Sequence, residues 1–209
     1  MDYENWKPLY EKITTDMGYD IERDIEGARL LNSLLTTPPT KAIEALSAEM
    51  AGMTVTVTGG ALKGDEIIEN GPVLATGSSV TVLLNMAIVP LAVVTDLDKD
   101  IKSQLDACSK GAVAVVHAHG DNMGLLNKHI NSFKSPVLGT CQCKPFGKLV
   151  NFGGFTDGDR AVLLARKMGA RKCVLAGFDF ENANNTKKKK LKWARYILSL
   201  QGDFVEMMP

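Results

Sequence analysis

No charge of either sign dominates this chain. Lysine and arginine number 24 against 24 aspartates and glutamates, so no global field draws the protein to nucleic acid or to a membrane surface. An anionic ligand must then be held by a local site. No apolar run nears the roughly 20 residues of a membrane-spanning helix, and no charged-then-apolar leader opens the sequence. The four cysteines, Cys108, Cys141, Cys143 and Cys173, are therefore expected as reduced thiols in the cytoplasm. Cys141-Gln142-Cys143 has neither the spacing nor the second pair of a zinc knuckle and reads as two thiols at a strand end. Histidine is scarce. His117-Ala118-His119 could set two imidazoles side by side, but a zinc hydrolase needs further ligands, and only His129, well inside the next helix, remains. Also missing are a Walker A loop and a glycine-rich dinucleotide fingerprint.

What is present is an ordinary globular composition, 45% hydrophobic over 209 residues, enough for one α/β domain with an extension or for two small domains. Residues 1–50 carry helical spacing: Trp6, Tyr10 and Ile13, then Ile21, Ile25, Ala28, Leu31 and Leu35, stopped by Pro38-Pro39. Thr40 can cap a third helix through Ala42, Leu46 and Met50. No catalytic constellation stands out there. Trp6, Tyr10 and Tyr19 read as packing residues, and a helical lobe with exposed aromatics suggests a homodimer.

The rhythm then changes. Strand patterns fall at 53–58, 72–76, 91–95, 112–116, 136–140 and 173–176, with a last edge strand at 204–207. A short helix or turn is expected over 65–70, and helices occupy most of the other intervals, the last over 184–200. Repeated strand–loop–helix units predict a mainly parallel, Rossmann-like sheet with helices on both faces. The expected division is a small, mainly helical lobe with one strand over residues 1–70 and an α/β domain over 71–209.

The polar motifs gather at the carboxyl ends of these strands, where an open α/β sheet places its ligand. The strand at 91–95 runs into Asp96, Asp98 and Asp100. Side chains two apart on an extended chain point the same way, so Asp96 and Asp98 are expected to face one cation. Hard oxygens in a compact pair suit Mg²⁺ sharing a substrate phosphate; the alternative is a capped helix start. Gly77-Ser78-Ser79, between strand and helix, could cradle a phosphate on backbone N–H groups or be a plain capped turn. His119 and Asp121 follow the next strand, and Asp121 is either a third metal ligand or an N-cap. Asp157-Gly158-Asp159-Arg160 opens a helix with more charge than capping needs, and Phe152 and Phe155 could stack on a flat heterocycle. In the run 187–190 at most two lysines, taken as Lys187 and Lys190, can face such a site, where they would neutralise polyphosphate.

Taken together, Thr95-Asp96-Leu97-Asp98, His117-Ala118-His119-Gly120-Asp121-Asn122, Gly139-Thr140-Cys141-Gln142, the 151–160 segment and Gly177-Phe178-Asp179-Phe180 resemble the archaeal 6-hydroxymethyl-7,8-dihydropterin diphosphokinases over nearly the whole chain. That resemblance implies a thiamine diphosphokinase-like fold and Mg²⁺-dependent transfer of diphosphate from ATP to a reduced pterin, releasing AMP. It implies Asp96 and Asp98 as metal ligands with Asp121 a third, and Asp157, Asp159 and Arg160 on the pterin or phosphate side. Asp121 or His119 would accept the hydroxyl proton. Two other readings stand beside it: a metal-dependent glycosyltransferase using Asp-x-Asp on a nucleotide sugar, and a non-catalytic nucleotide-binding domain.

Overall fold

The computed structural model describes residues 1–66, 68, 71–181 and 185–208. Most of the short element expected over 65–70, and the start of that expected over 184–200, lie outside the described residues. Three helices come first: α1 (Tyr3–Met17), α2 (Ile21–Leu34) and α3 (Thr40–Met50). Asp2 and Asp20 start the first two by accepting the N–H groups of Asn5 and Glu22.

Among the described residues eight parallel strands then build a single sheet: β1 (Thr54–Thr58), β2 (Val73–Thr76), β3 (Ala92–Thr95), β4 (Val113–His117), β5 (Val137–Thr140), β6 (Leu149–Val150), β7 (Lys172–Ala176) and β8 (Val205–Met207). Their order across the sheet is β6-β5-β4-β3-β2-β1-β7-β8. The chain walks outward from β1 to β6, then jumps back to the other side of β1. Right-handed crossovers therefore put the connecting helices on opposite faces before and after the jump. On one face α4 (Ser79–Asn85), α5 (Ile101–Ser109) and α6 (Met123–His129) pack with α2 against Ala75, Val93, Ala114 and Val116. On the other, α7 (Asp157–Lys167), α8 (Asn185–Ser199) and α3 cover Val57, Leu74, Val94 and Val115. Helix α1 lies outside these, its Trp6, Tyr10 and Ile13 buried against Leu163 and Ile197. Neighbouring strand residues thus feed alternate cores, as the pleat requires.

The described residues of segment 1–70 are woven into the sheet. Its strand β1 is interior, between β2 and β7, and α2 and α3 fill the cores on the two faces. Trp6 and Tyr10 are buried within the chain, whereas Tyr19 is half-buried. The two-residue strand β6 was not anticipated.

The jump from β6 to β7 creates a switch point between β1 and β7, the usual ligand crevice of an open sheet. Here it is sealed. The Ala61 N–H donates to the Gly177 carbonyl at 2.9 Å, and a Cβ on Gly177, whose φ is +67°, would fall 2.3 Å from the Leu62 nitrogen. The open cavity lies to one side, above β2 to β6.

Candidate active site

A cavity of about 690 Å³ opens over the carboxyl ends of the strands, within the range of small-molecule sites. Its first wall is the turn after β3. The Thr95 hydroxyl accepts the Leu97 N–H at 2.8 Å, and Leu97 takes the left-handed conformation, φ +69°, with its side chain buried. The chain folds back so that the Asp98 N–H donates to Asp96 Oδ1 at 3.2 Å. Asp96 and Asp98 do come together, but through this aspartate turn and not through strand alternation. Burial works to raise the Asp96 carboxyl; hydrogen bonds from His119 and Asp98 outweigh it and hold the group below the ordinary carboxylate range. Burial and then the adjacent Asp96 push Asp98 up to about 6. Asp100 precedes α5 without any side-chain capping bond, so capping does not explain the acids.

The turn after β4 is tied to this one by Asn122, which is buried. Its Nδ2 donates to the Asp96 carbonyl at 2.9 Å and the His117 carbonyl at 2.7 Å, and its Oδ1 accepts the His119 N–H at 3.0 Å. Helix α2 holds the same turn from outside: Asp24 Oδ1 accepts the Gly120 N–H at 2.8 Å, and Arg23 donates to the Gly120 carbonyl. His119 Nδ1 accepts the Asp121 N–H at 3.2 Å, which puts the proton of the neutral ring on Nε2, 3.6 Å from Asp96 Oδ2. With one nitrogen spent on backbone and the other facing Asp96, His119 is placed to orient that carboxylate. Asp121 is displaced from its expected role. Its side chain is 76% exposed and lies 3.7 Å from Arg23 at the cavity lip, away from the Asp96–Asp98 pair. Among the described residues no group of three or more His, Cys, Asp or Glu side chains is gathered to hold a metal alone.

The third wall is the start of α7. Thr156 and Asp159 form a capping box, and Asp159, fully buried, accepts the N–H groups of Phe155 and Thr156 and the Thr156 hydroxyl. That explains Asp159 as a structural cap and takes it out of the substrate set; the Thr-x-x-Asp spacing was the available signal. Asp157 and Arg160 do line the cavity. Arg160 Nη1 donates to Asp157 Oδ1 at 3.1 Å, and Nη2 donates to the Gly154 and Phe155 carbonyls. Burial, then the charge of Asp96, raise the Asp157 carboxyl well above its ordinary value, and Arg160 only partly opposes them.

Of the glycine–serine turn only Gly77 reaches the cavity. Ser79 points inward, its hydroxyl bonded to Thr58 Oγ1 at 2.8 Å and accepting the Thr76 N–H at 3.0 Å, and Ser78 makes no capping bond. Lys187 and Lys190 both line the cavity, joined by Lys99, while Lys189 turns away to pair with Asp16. Sequence reasoning missed the wall built by the first two helices. Tyr10, Tyr19, Arg23 and Asp24 all face the cavity, with the Tyr10 hydroxyl donating to Asp24. Gln142 does too, fixed by accepting from Trp6 Nε1 at 3.0 Å and donating to the Gly154 carbonyl at 3.0 Å. An Asp, an Arg and a Tyr on amphipathic helices, with Tyr19 in the loop between them, carry no local signal of a site far along the chain.

A doubly wound, all-parallel α/β protein with its ligand cleft at the strand carboxyl ends is the class these features define. The sequence pattern of the family described as MptE-like 6-hydroxymethylpterin diphosphokinase matches residues 62–185. Curated relatives named 6-hydroxymethyl-7,8-dihydropterin pyrophosphokinase are similar over most of their length. The protein of Pyrococcus furiosus is 41% identical over 95% of this chain and 93% of its own. That of Methanocaldococcus jannaschii is 31% identical over 99% and 98%. That of Methanothermobacter thermautotrophicus is 36% identical over 86% and 79%. The chain belongs to the MptE-like 6-hydroxymethylpterin diphosphokinase family.

Proposed function

We propose that this protein transfers diphosphate from ATP to the hydroxymethyl group of 6-hydroxymethyl-7,8-dihydropterin and releases AMP, with Mg²⁺ as cofactor. The observation that carries the reading is the meeting, in one cavity, of a hard carboxylate pair (Asp96 and Asp98), three lysines (Lys99, Lys187 and Lys190) and the ion pair of half-buried Asp157 with buried Arg160.

The donor set fits Mg²⁺. Two carboxylates without a third suit an ion that keeps waters and shares phosphate oxygens. Asp96 and Asp98 would hold it, and bound there it would supply charge neutralisation on the polyphosphate. The chain's own residues do the rest. The lysines at the mouth neutralise phosphate charge, and backbone at Gly77 gives phosphate a close approach. Phe155, its ring 6.1 Å from that of Tyr19, offers an aromatic face to a flat heterocycle. Asp157 accepts ring N–H groups, with Arg160 holding its carboxylate in place. No protein nucleophile is needed: the substrate hydroxyl oxygen attacks the β-phosphorus, the bond from that phosphorus to the bridging oxygen breaks so that the oxygen leaves with AMP, and the hydroxyl proton passes to solvent. Alignment and charge neutralisation are the enzyme's task. The product would feed tetrahydromethanopterin- or folate-type carrier synthesis in the cytoplasm.

The test is a phosphorus NMR or chromatographic assay of purified protein with ATP, Mg²⁺ and the dihydropterin. AMP appearing in step with a diphosphorylated pterin supports the reading. ADP in place of AMP, or no loss of ATP, overturns it.

A further inference from the structure

We propose that His117 reads the heterocycle, its Nε2 hydrogen-bonding a ring-edge atom of the bound pterin; this rests on the pterin reading above. Three buried side-chain polar atoms lack a hydrogen-bond partner among the described residues: Gln104 Oε1, Ser135 Oγ and His117 Nε2. Of the three residues, His117 alone lines the cavity. Buried polar groups are nearly always paired, so an orphan at a cavity wall marks a place where a ligand completes the set.

The ring is fixed for that purpose. His117 is 3% exposed, its Nδ1 is held 2.9 Å from Thr140 Oγ1, and its carbonyl is held by Asn122. The neighbouring polar groups are already spent. Gln142 is bonded at both ends of its amide, Asp159 caps α7, and Arg160 holds Asp157 and two carbonyls.

The site's character decides the ligand class. Burial, followed by the nearby charge of Arg160, keeps the imidazole pKa well below its ordinary value, so the ring is neutral. A neutral, desolvated imidazole suits an uncharged heterocycle edge. Phosphate oxygens would seek cations, which the cavity presents elsewhere as Lys99, Lys187 and Lys190.

Two substitutions separate this role from a structural one, because the Asn amide overlays Nδ1 and the Gln amide overlays Nε2. Fluorescence titration of 6-hydroxymethylpterin is the readout, with Mg²⁺-ATP binding measured in parallel. His117→Asn should weaken pterin binding about tenfold or more, and His117→Gln should stay within roughly threefold of wild type, with ATP binding unchanged in both. The reverse order would make Thr140 anchoring the residue's only role, and equal affinities would mean that Nε2 touches no pterin; either overturns the proposal. Nitrogen NMR of histidine-labelled wild type needs no substitution. Pterin should move the His117 Nε2 resonance far more than Nδ1, and an unmoved Nε2 overturns the proposal. A wild-type protein that binds no pterin at all brings down the functional reading and this inference with it, whereas normal pterin binding with an indifferent His117 brings down the inference alone.

Discussion

The surroundings of Asp157 disfavour its charged form. Its side chain is only 18% exposed, and Asp96 and Asp98 add repulsion that Arg160 does not fully offset. A folded-state pKa above the unfolded value means that the native protein holds this proton more tightly than the unfolded chain does. The stability so gained is present below the unfolded pKa and is lost as pH rises through the folded one. Ionising the group in the folded protein therefore costs stability. Asp157→Asn should melt higher than wild type at pH 8, on the scale of the roughly 2–4 °C that about 1 kcal/mol produces in a chain of this size. The two melting curves should converge toward pH 4. The same substitution should lower pterin turnover, which identifies the charge as a functional requirement and not a structural one. Asp96→Asn should leave the circular dichroism spectrum unchanged and cut kcat by about 10² or more at saturating Mg²⁺. Near-normal turnover would remove Asp96 from the mechanism.

At the scale of elements, the strands and most helices were legible because their patterns are local. Val55 and Val57 alternate with threonines along β1, and Trp6, Tyr10 and Ile13 recur along α1. The two residues of β6 carry no periodicity to read; they become a strand by pairing with Gly139 and Thr140. The site was legible as a set of loops and less so as geometry. Leu97 adopts positive φ because its side chain is drawn into the core, and that single turn decides how Asp96 and Asp98 meet. Nothing in the spacing shows that Asp121 swings to Arg23, since that contact joins residues on separate elements. The 151–156 loop shows how tightly such geometry is set. Gly154 has φ +101°, and a Cβ there would fall 2.4 Å from Arg160 Cα. Gly154→Ala should destabilise the fold by about 1–3 kcal/mol in thermal melts and should also weaken pterin binding, because the loop cannot shift without moving Arg160.

For the whole molecule, the first 50 residues are packed into the sheet they precede. Leu31 and Leu35 on one face, and Leu46 and Met50 on the other, are buried in the two cores of the sheet. Removing them would leave two apolar surfaces and a row of cavities. A fragment beginning at residue 51 should lack a cooperative thermal transition and bind a hydrophobic dye, where the full chain melts as one unit. A sharp transition for the fragment would show that the sheet stands alone. Among the described residues no helix is long and apolar enough to cross a bilayer.

Asp16, at the end of α1, accepts a hydrogen bond from Trp193 Nε1 at 2.8 Å and pairs with Lys189, so the first and last α-helices meet beside the cavity. The chain holds two tryptophans, and the other, Trp6, is sealed in the core on Gln142. The protein thus carries an intrinsic optical gauge with one static and one responsive channel. Mg²⁺-ATP drawing Lys187 and Lys190 inward should alter the emission of Trp193 while that of Trp6 stays constant, and the signal should vanish in Trp193→Phe.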